Sequence, residues 1–136
     1  MRPLDNAFLR VKAEYPTAKM VCPLRDHYGV YAYSILVDGR QYNLCLRRSA
    51  GRRGIISVNS ELTKGKIPIL LAFGVMLYVI YPQAVANYYT HIEKHRGALK
   101  YQFRLEEVGA RPFSLTWANE ANKKAEPDFF DEAASA

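Results

Sequence analysis

Apolar positions along this chain recur first at helical spacing and then, from residue 19 onward, mostly at a spacing of two. Leu4, Phe8 and Val11 form one stripe, so the opening segment reads as a helix over residues 6–15, capped by Asp5 and stopped by Pro16. Val21 to Leu24 is a short strand interrupted by Pro23, and "YGVYAYSILV" (Tyr28 to Val37) is a longer one, rich in aromatic and β-branched residues. Asp38-Gly39 then signals a type I′ turn, whose two central residues both need positive φ.

"RQYNLCLRR" follows with strict alternation. A two-residue turn fixes the register: Val37 faces Arg40, Ile35 faces Tyr42, Tyr33 faces Leu44 and Tyr31 faces Leu46. That face is apolar and is expected to meet the core. The other pairs Leu36 with Gln41, Ser34 with Asn43, Ala32 with Cys45 and Val30 with Arg47; it is small and polar, and suits a cleft or a solvent face.

Beyond the glycine- and arginine-rich "SAGRRG", Ile55 to Val58 reads as a third strand, with a short helix starting near Asn59 or Ser60. The 15-residue apolar run from Ile67 to Tyr81 is too short for a membrane helix and contains Pro68 and Gly74. It reads as two strands, Ile69 to Phe73 and Met76 to Tyr81, turning at Gly74-Val75 in the middle of a sheet covered on both faces. Pro82 opens a second helix, near 83–96, with Val85, Tyr88, Tyr89 and Ile92 facing inward and Gly97 ending it. "LKYQFRLEEV" and "FSLTW" alternate and form an expected hairpin around "EEVGARP".

The expectation is a mixed α/β (α+β) domain over residues 1–118, with a central mixed sheet that starts as an antiparallel hairpin. Residues 119–136 form an acidic tail without periodicity, expected to be mobile. Its Phe129-Phe130 pair, set among Glu126, Asp128, Asp131 and Glu132, is a candidate protein-docking element; the plainer reading is a solubilising end.

Composition adds little beyond an ordinary globular class: 136 residues, 49% hydrophobic and 24% charged. Charge adds more. The net +6 is unevenly spread: residues 1–66 carry twelve Lys+Arg against five Asp+Glu, whereas residues 112–136 carry two against five. A basic front half suits a polyanionic partner. No secretory signal is visible at the N-terminus, so a cytoplasmic, intracellular setting is expected, with Cys22 and Cys45 free and buried. A zinc site from Cys22, Cys45, His91 and His95 lacks the close cysteine pair of zinc fingers. His91 and His95 share a helix face on this reading, but Lys94 and Arg96 beside them repel a cation.

The outline of helix, Asp-Gly hairpin, basic loop, further strand and paired apolar strands (residues 4 to 85) resembles the restriction-endonuclease-like fold, most closely the small archaeal Holliday-junction resolvases. In that fold the hairpin strands carry an Asp and then a Glu-x-Lys, with a basic loop after them. Here those positions fall on Ala32 and Cys45-Leu46-Arg47, or in a tighter register on Ser34 and Asn43-Leu44-Cys45. Neither register supplies the carboxylates that hold Mg²⁺ and activate water. Relocated acids are the alternative, with Glu14, Asp26 and Glu61 as catalytic candidates and Mg²⁺ as the cofactor in that case alone. Asp26-His27-Tyr28 could act as an acid/base group or be a polar bend before a strand.

The strongest functional lead is the basic cluster Arg40, Arg47, Arg48, Arg52, Arg53, Lys64 and Lys66, opposed by Glu61 alone across residues 40–66. Guanidinium forks suit successive phosphates, whereas the bland reading is a solvated rim or arginines paired with the protein's own acids. Tyr28, Tyr31 and Tyr33 interleave with this region and could stack on bases. The expectation is therefore a nucleic-acid-binding homodimer without catalytic acids or a cofactor, with DNA favoured over RNA. A metal-dependent nuclease and a small adaptor are the alternatives.

Overall fold

The computed structural model describes residues 2–47, 54–88, 91–95 and 98–113, with backbone alone at 88, 91–95 and 98. Helix α1 spans Pro3–Glu14 and begins three residues before the expected start. The reason is local. Pro3 has its φ preset and lacks only an N–H that would be unpaired there. Asp5 sits inside the first turn rather than at the cap, where its Oδ2 accepts the Arg2 N–H at 3.0 Å. Its Oδ1 accepts the Tyr33 hydroxyl, which ties the first turn to the sheet. Leu4, Ala7 and Val11 are the buried stripe.

β1 (Lys19–Asp26), β2 (Gly29–Val37) and β3 (Arg40–Arg47) form an antiparallel meander. Asp38 (φ 52°) and Gly39 (φ 78°) make the left-handed turn, and the register from Val37–Arg40 to Tyr33–Leu44 is the one the turn dictates. It does not extend to Tyr31. The β1 partners step from Leu24–Ala32 to Arg25–Val30, so Tyr31 is an extra, bulged residue. A bulge reverses facing. Tyr31 accordingly packs with Ala32 and Cys45 on one side of the sheet, while Val30 and Leu46 pack on the other. Pro23 is tolerated because β1 is an edge strand.

β4 (Ile56–Asn59) leaves the main sheet and leads into a single 3-10 turn, Ser60–Thr63, capped by the Asn59 side chain, which accepts the Glu61 N–H at 2.9 Å. β5 (Ile69–Phe73) then returns parallel to β3, and β6 (Met76–Ile80) pairs back along it. Helix α2 covers Pro82–Tyr88 only. Residues 91–95, expected as its last turns, instead form β7 (His91–His95), paired with β8 (Ala98–Phe103) so that His95 opposes Ala98. Tyr88-Tyr89-Thr90 has poor helix propensity and favours strand, and His91–His95 holds one apolar residue, Ile92, too few to make a helical stripe of its own. β9 (Arg111–Pro112) closes the edge of the main sheet against β6.

The result is a six-stranded sheet ordered β1-β2-β3-β5-β6-β9 and a three-stranded sheet ordered β4-β8-β7. β8 and β9 lie in different sheets, so the expected hairpin around "EEVGARP" is not formed by the described residues; Leu115 and Trp117 lie outside them. One face of the main sheet packs Tyr33, Ile35, Tyr42, Leu44 and Leu70 against α1 and Phe113. The other packs Ala32, Cys45, Ile69, Leu71 and Ile80 against Ile56, Val58, Val85 and Phe103. The small hairpin face is therefore a core face and not a cleft, because β4 and β8 cover it. Ser34 and Asn43 are buried with it. Cys45 is free and buried, and desolvation pushes its thiol up to about 11; Cys22, expected inside, lies exposed on β1. No helix among the described residues is long and apolar enough to cross a membrane.

Candidate nucleic-acid interface

β3 and β5 run parallel and end together at Arg47 and Phe73. At that end the β1–β2 turn, the first turn of α1 and the second sheet meet around a cleft of about 440 Å³. Arg2, Arg47 and Lys100 bring positive charge to it, Asp26 brings the carboxylate, and Tyr28 and Tyr31 contribute ring surface. A second depression, about 310 Å³, shares Pro3, Leu46 and Arg47 with the cleft and adds Arg10. A third, about 270 Å³, shares Asp26, Tyr28 and Asn59 and adds His27, Glu61 and Lys64. The three are thus neighbours, with these residues as common walls.

Arg47 is held by main-chain carbonyls: Nε donates to Ser57 O and Nη1 to Leu46 O, each at 2.6 Å. Carbonyls orient a guanidinium without neutralising it, and three of its five N–H donors are left over by these two bonds. Arg10 is fixed the same way, Nη1 donating to Gly74 O at 2.8 Å. Asp26 is a structural hub. Its Oδ1 accepts the Tyr28 N–H at 2.7 Å and its Oδ2 accepts Asn59 Nδ2 at 3.1 Å, which clamps the β1–β2 turn onto the end of β4. Lys64 bonds Glu61 at 2.9 Å, with both side chains more than half exposed, and that contact raises the Lys64 pKa. Burial raises the Tyr31 pKa, with the nearby Glu61 and Asp26 charges adding to it.

The predicted cluster is divided by this geometry. Arg47 lines the cleft and Lys64 the depression beside it. Arg40 starts the strand that Arg47 ends, about 23 Å away at the usual rise per residue. Lys66 precedes the start of β5, which pairs with β3 at Asn43, nearer Arg40 than Arg47. Both Arg40 and Lys66 engage partners of their own. Arg48, Arg52 and Arg53 lie outside the described residues, as do Phe129 and Phe130. Among the acids, Asp26 and Glu61 border one depression. Glu14 is exposed in the last turn of α1, at the end opposite the Arg2–Pro3 turn that borders the cleft, about 16 Å along the helix axis. The three-acid metal site is not assembled, and among the described residues no three His, Cys, Asp or Glu side chains come together.

Sequence reading missed Arg2, Arg10 and Lys100. Each reaches the cleft or its extension through tertiary structure: α1 packs its first turns over the end of β3, and Lys100 arrives because β8 pairs with β4, Asn59 opposite Lys100. No local pattern carries that information. No protein-family description, curated protein or solved structure matches this chain.

Proposed function

We propose that this protein binds nucleic acid, DNA in preference to RNA, through phosphate contacts at the cleft centred on Arg47. The observation that carries this reading is the gathering of Arg2, Arg47 and Lys100 on one cleft whose described lining includes one carboxylate, Asp26, with Asp5 near Arg2 and with Arg47 pre-oriented by carbonyls. In sequence Arg47 is followed by Arg48, Arg52 and Arg53, which lie outside the described residues and add three cations to the same stretch of chain. Binding by charge and shape, rather than by reading base edges, follows from that inventory.

The likeness to the restriction-endonuclease-like fold rests on the sequence outline, and we carry it only to recognition of a phosphodiester backbone. The hairpin positions that bear that fold's acids are Ala32, Ser34, Asn43 and Cys45, all buried and none acidic.

The test is binding of labelled duplex, branched and single-stranded DNA across a salt series. Affinity should fall steeply with salt. Replacing Arg47, Arg48, Arg52 and Arg53 with Ala should flatten the slope by up to about 0.9 for each duplex phosphate that is no longer neutralised. Unchanged affinity and slope in that variant sink the reading. Cleavage of any probe by clean protein in Mg²⁺ or Mn²⁺ moves it to the nuclease alternative.

A further inference from the structure

We propose that the cleft and its two extensions form a track for single-stranded nucleic acid, with an unpaired base stacked on Tyr28; this rests on the nucleic-acid reading above. Tyr28 is a large ring left 59% exposed at the tip of a hairpin. Its backbone is held in place, since the Tyr28 main-chain N–H is bonded to Asp26, which in turn is bonded to Asn59 of the other sheet. An exposed ring carried on a fixed turn offers a stacking face, and every base can meet it, whatever the sequence.

Its surroundings fit the same ligand. The cleft wall includes Pro3, Leu4, Val30 and Leu46, so apolar surface stands beside the three cations Arg2, Arg47 and Lys100. That mixture suits a base on one side and its phosphate on the other. A duplex keeps its base faces stacked inside and offers only edges and backbone, which such a wall does not match. Each depression has the size of a small-molecule pocket rather than of a duplex-wide trough. Lys100, Arg2 and Arg47 line the cleft and Arg10 one extension, whereas in the other extension Lys64 is paired with Glu61. Asp26 repels phosphate from the Tyr28 side, so the backbone runs along Arg2 and Arg47 while the base turns toward the ring.

The experiment is fluorescence anisotropy of the full chain with labelled oligonucleotides of roughly 12 nucleotides, within the range such sites cover. The probes are single-stranded DNA, the same sequence as RNA, and the matching duplex, at fixed low salt. Either single strand should bind tighter than the duplex. Tyr28→Ala should weaken single-strand binding by roughly five- to a hundred-fold, the loss of one stacked base, and weaken duplex binding by less than that. Tyr28→Phe should keep the wild-type affinity, and thermal melts should show both variants folded, as the exposure of Tyr28 predicts.

Equal binding of duplex and single strand, with Tyr28→Ala silent, overturns the track. So does a Tyr28→Phe variant as weak as Tyr28→Ala. If Arg2→Ala and Lys100→Ala still weaken binding in those cases, phosphate recognition stands without the track. If no probe binds even at low salt, the nucleic-acid reading itself falls.

Discussion

Tyr42 gives the sharpest test of the physical account of the core. Its ring is fully buried between the main sheet and Phe113, at 5.2 Å in an edge-to-face contact, and its hydroxyl has no hydrogen-bond partner among the described residues. Leaving a buried hydroxyl unpaired costs about 1–3 kcal/mol. Tyr42→Phe removes that cost and keeps the ring contact, losing only the dispersion of one oxygen. The expected gain is about 1 kcal/mol at pH 7, or roughly 3–6 °C in Tm for a domain of this length.

Alkaline pH supplies a second, independent readout. Burial, the largest cause, pushes the Tyr42 pKa from 10.0 up to about 12. A group whose pKa is raised on folding contributes its full stability below its unfolded pKa and loses it as pH rises through the folded one. For Tyr42 that window runs from 10.0 to about 12 and is worth roughly 3 kcal/mol. The phenylalanine variant lacks the loss, so its advantage over wild type should widen across that window. Urea unfolding of both proteins from pH 7 to 11.5 measures both effects. A variant at least 1 kcal/mol less stable than wild type at pH 7 would refute the reasoning, since the hydroxyl would then have a partner worth keeping.

Other expectations follow from the clamps around the cleft. Asn59→Ala removes both the bond to Asp26 and the cap on the Glu61 N–H, so it should cost about 1–3 kcal/mol in chemical unfolding. Arg47→Ala leaves two carbonyls without their donor and removes a cation from the cleft. It should lower stability by about 1–3 kcal/mol and weaken nucleic-acid binding, whereas Arg47→Lys should keep the charge but not the paired geometry, and so recover binding in part. The Asp5 pKa is lowered, first by the Tyr33 hydroxyl and then by the Arg2 N–H, so its contribution is present above its ordinary value of 3.8 and lost as pH falls through the folded value. Asp5→Asn should therefore flatten the acid limb of a Tm-versus-pH curve; an unchanged limb counts against that role. Gly39→Ala, at φ 78°, should cost about 1 kcal/mol in thermal unfolding.

What the sequence disclosed follows from the range of each interaction. The Asp38-Gly39 turn and the register from Val37–Arg40 to Tyr33–Leu44 were legible because turn type and side-chain alternation act over a few residues. The apolar pair β5 and β6, turning at Gly74, was legible for the same reason. The Tyr31 bulge was not, since it arises from β1 being matched to β2 under a constraint that neither strand carries alone. The strand at 91–95 was hidden because its one apolar residue, Ile92, completes the helical spacing of Val85, Tyr88 and Tyr89, whereas its pairing with β8 is a tertiary contact. The arginine cluster was read as a patch because its members are neighbours in sequence. Extended backbone separates such neighbours, and Arg40 and Arg47 end up at opposite ends of one strand. The cations that do join Arg47 come from α1 and from β8, and only the tertiary fold brings those together.

The route of the chain between the two sheets has a consequence for how the protein acquires its structure. β3 and β5 are neighbours, yet β4 is sent off between them to await β8, and β9 then comes back to finish the edge that β6 leaves open. The second sheet needs the chain as far as Phe103 and the main sheet as far as Pro112, after which Phe113 closes the helix side. Such interlacing implies high contact order, refolding on the order of milliseconds to seconds, and one concerted transition in place of two separable ones. A fragment ending before Ala98 would strand Ile56 and Val58 without their cover, and is expected to collapse into aggregates rather than into a smaller native unit.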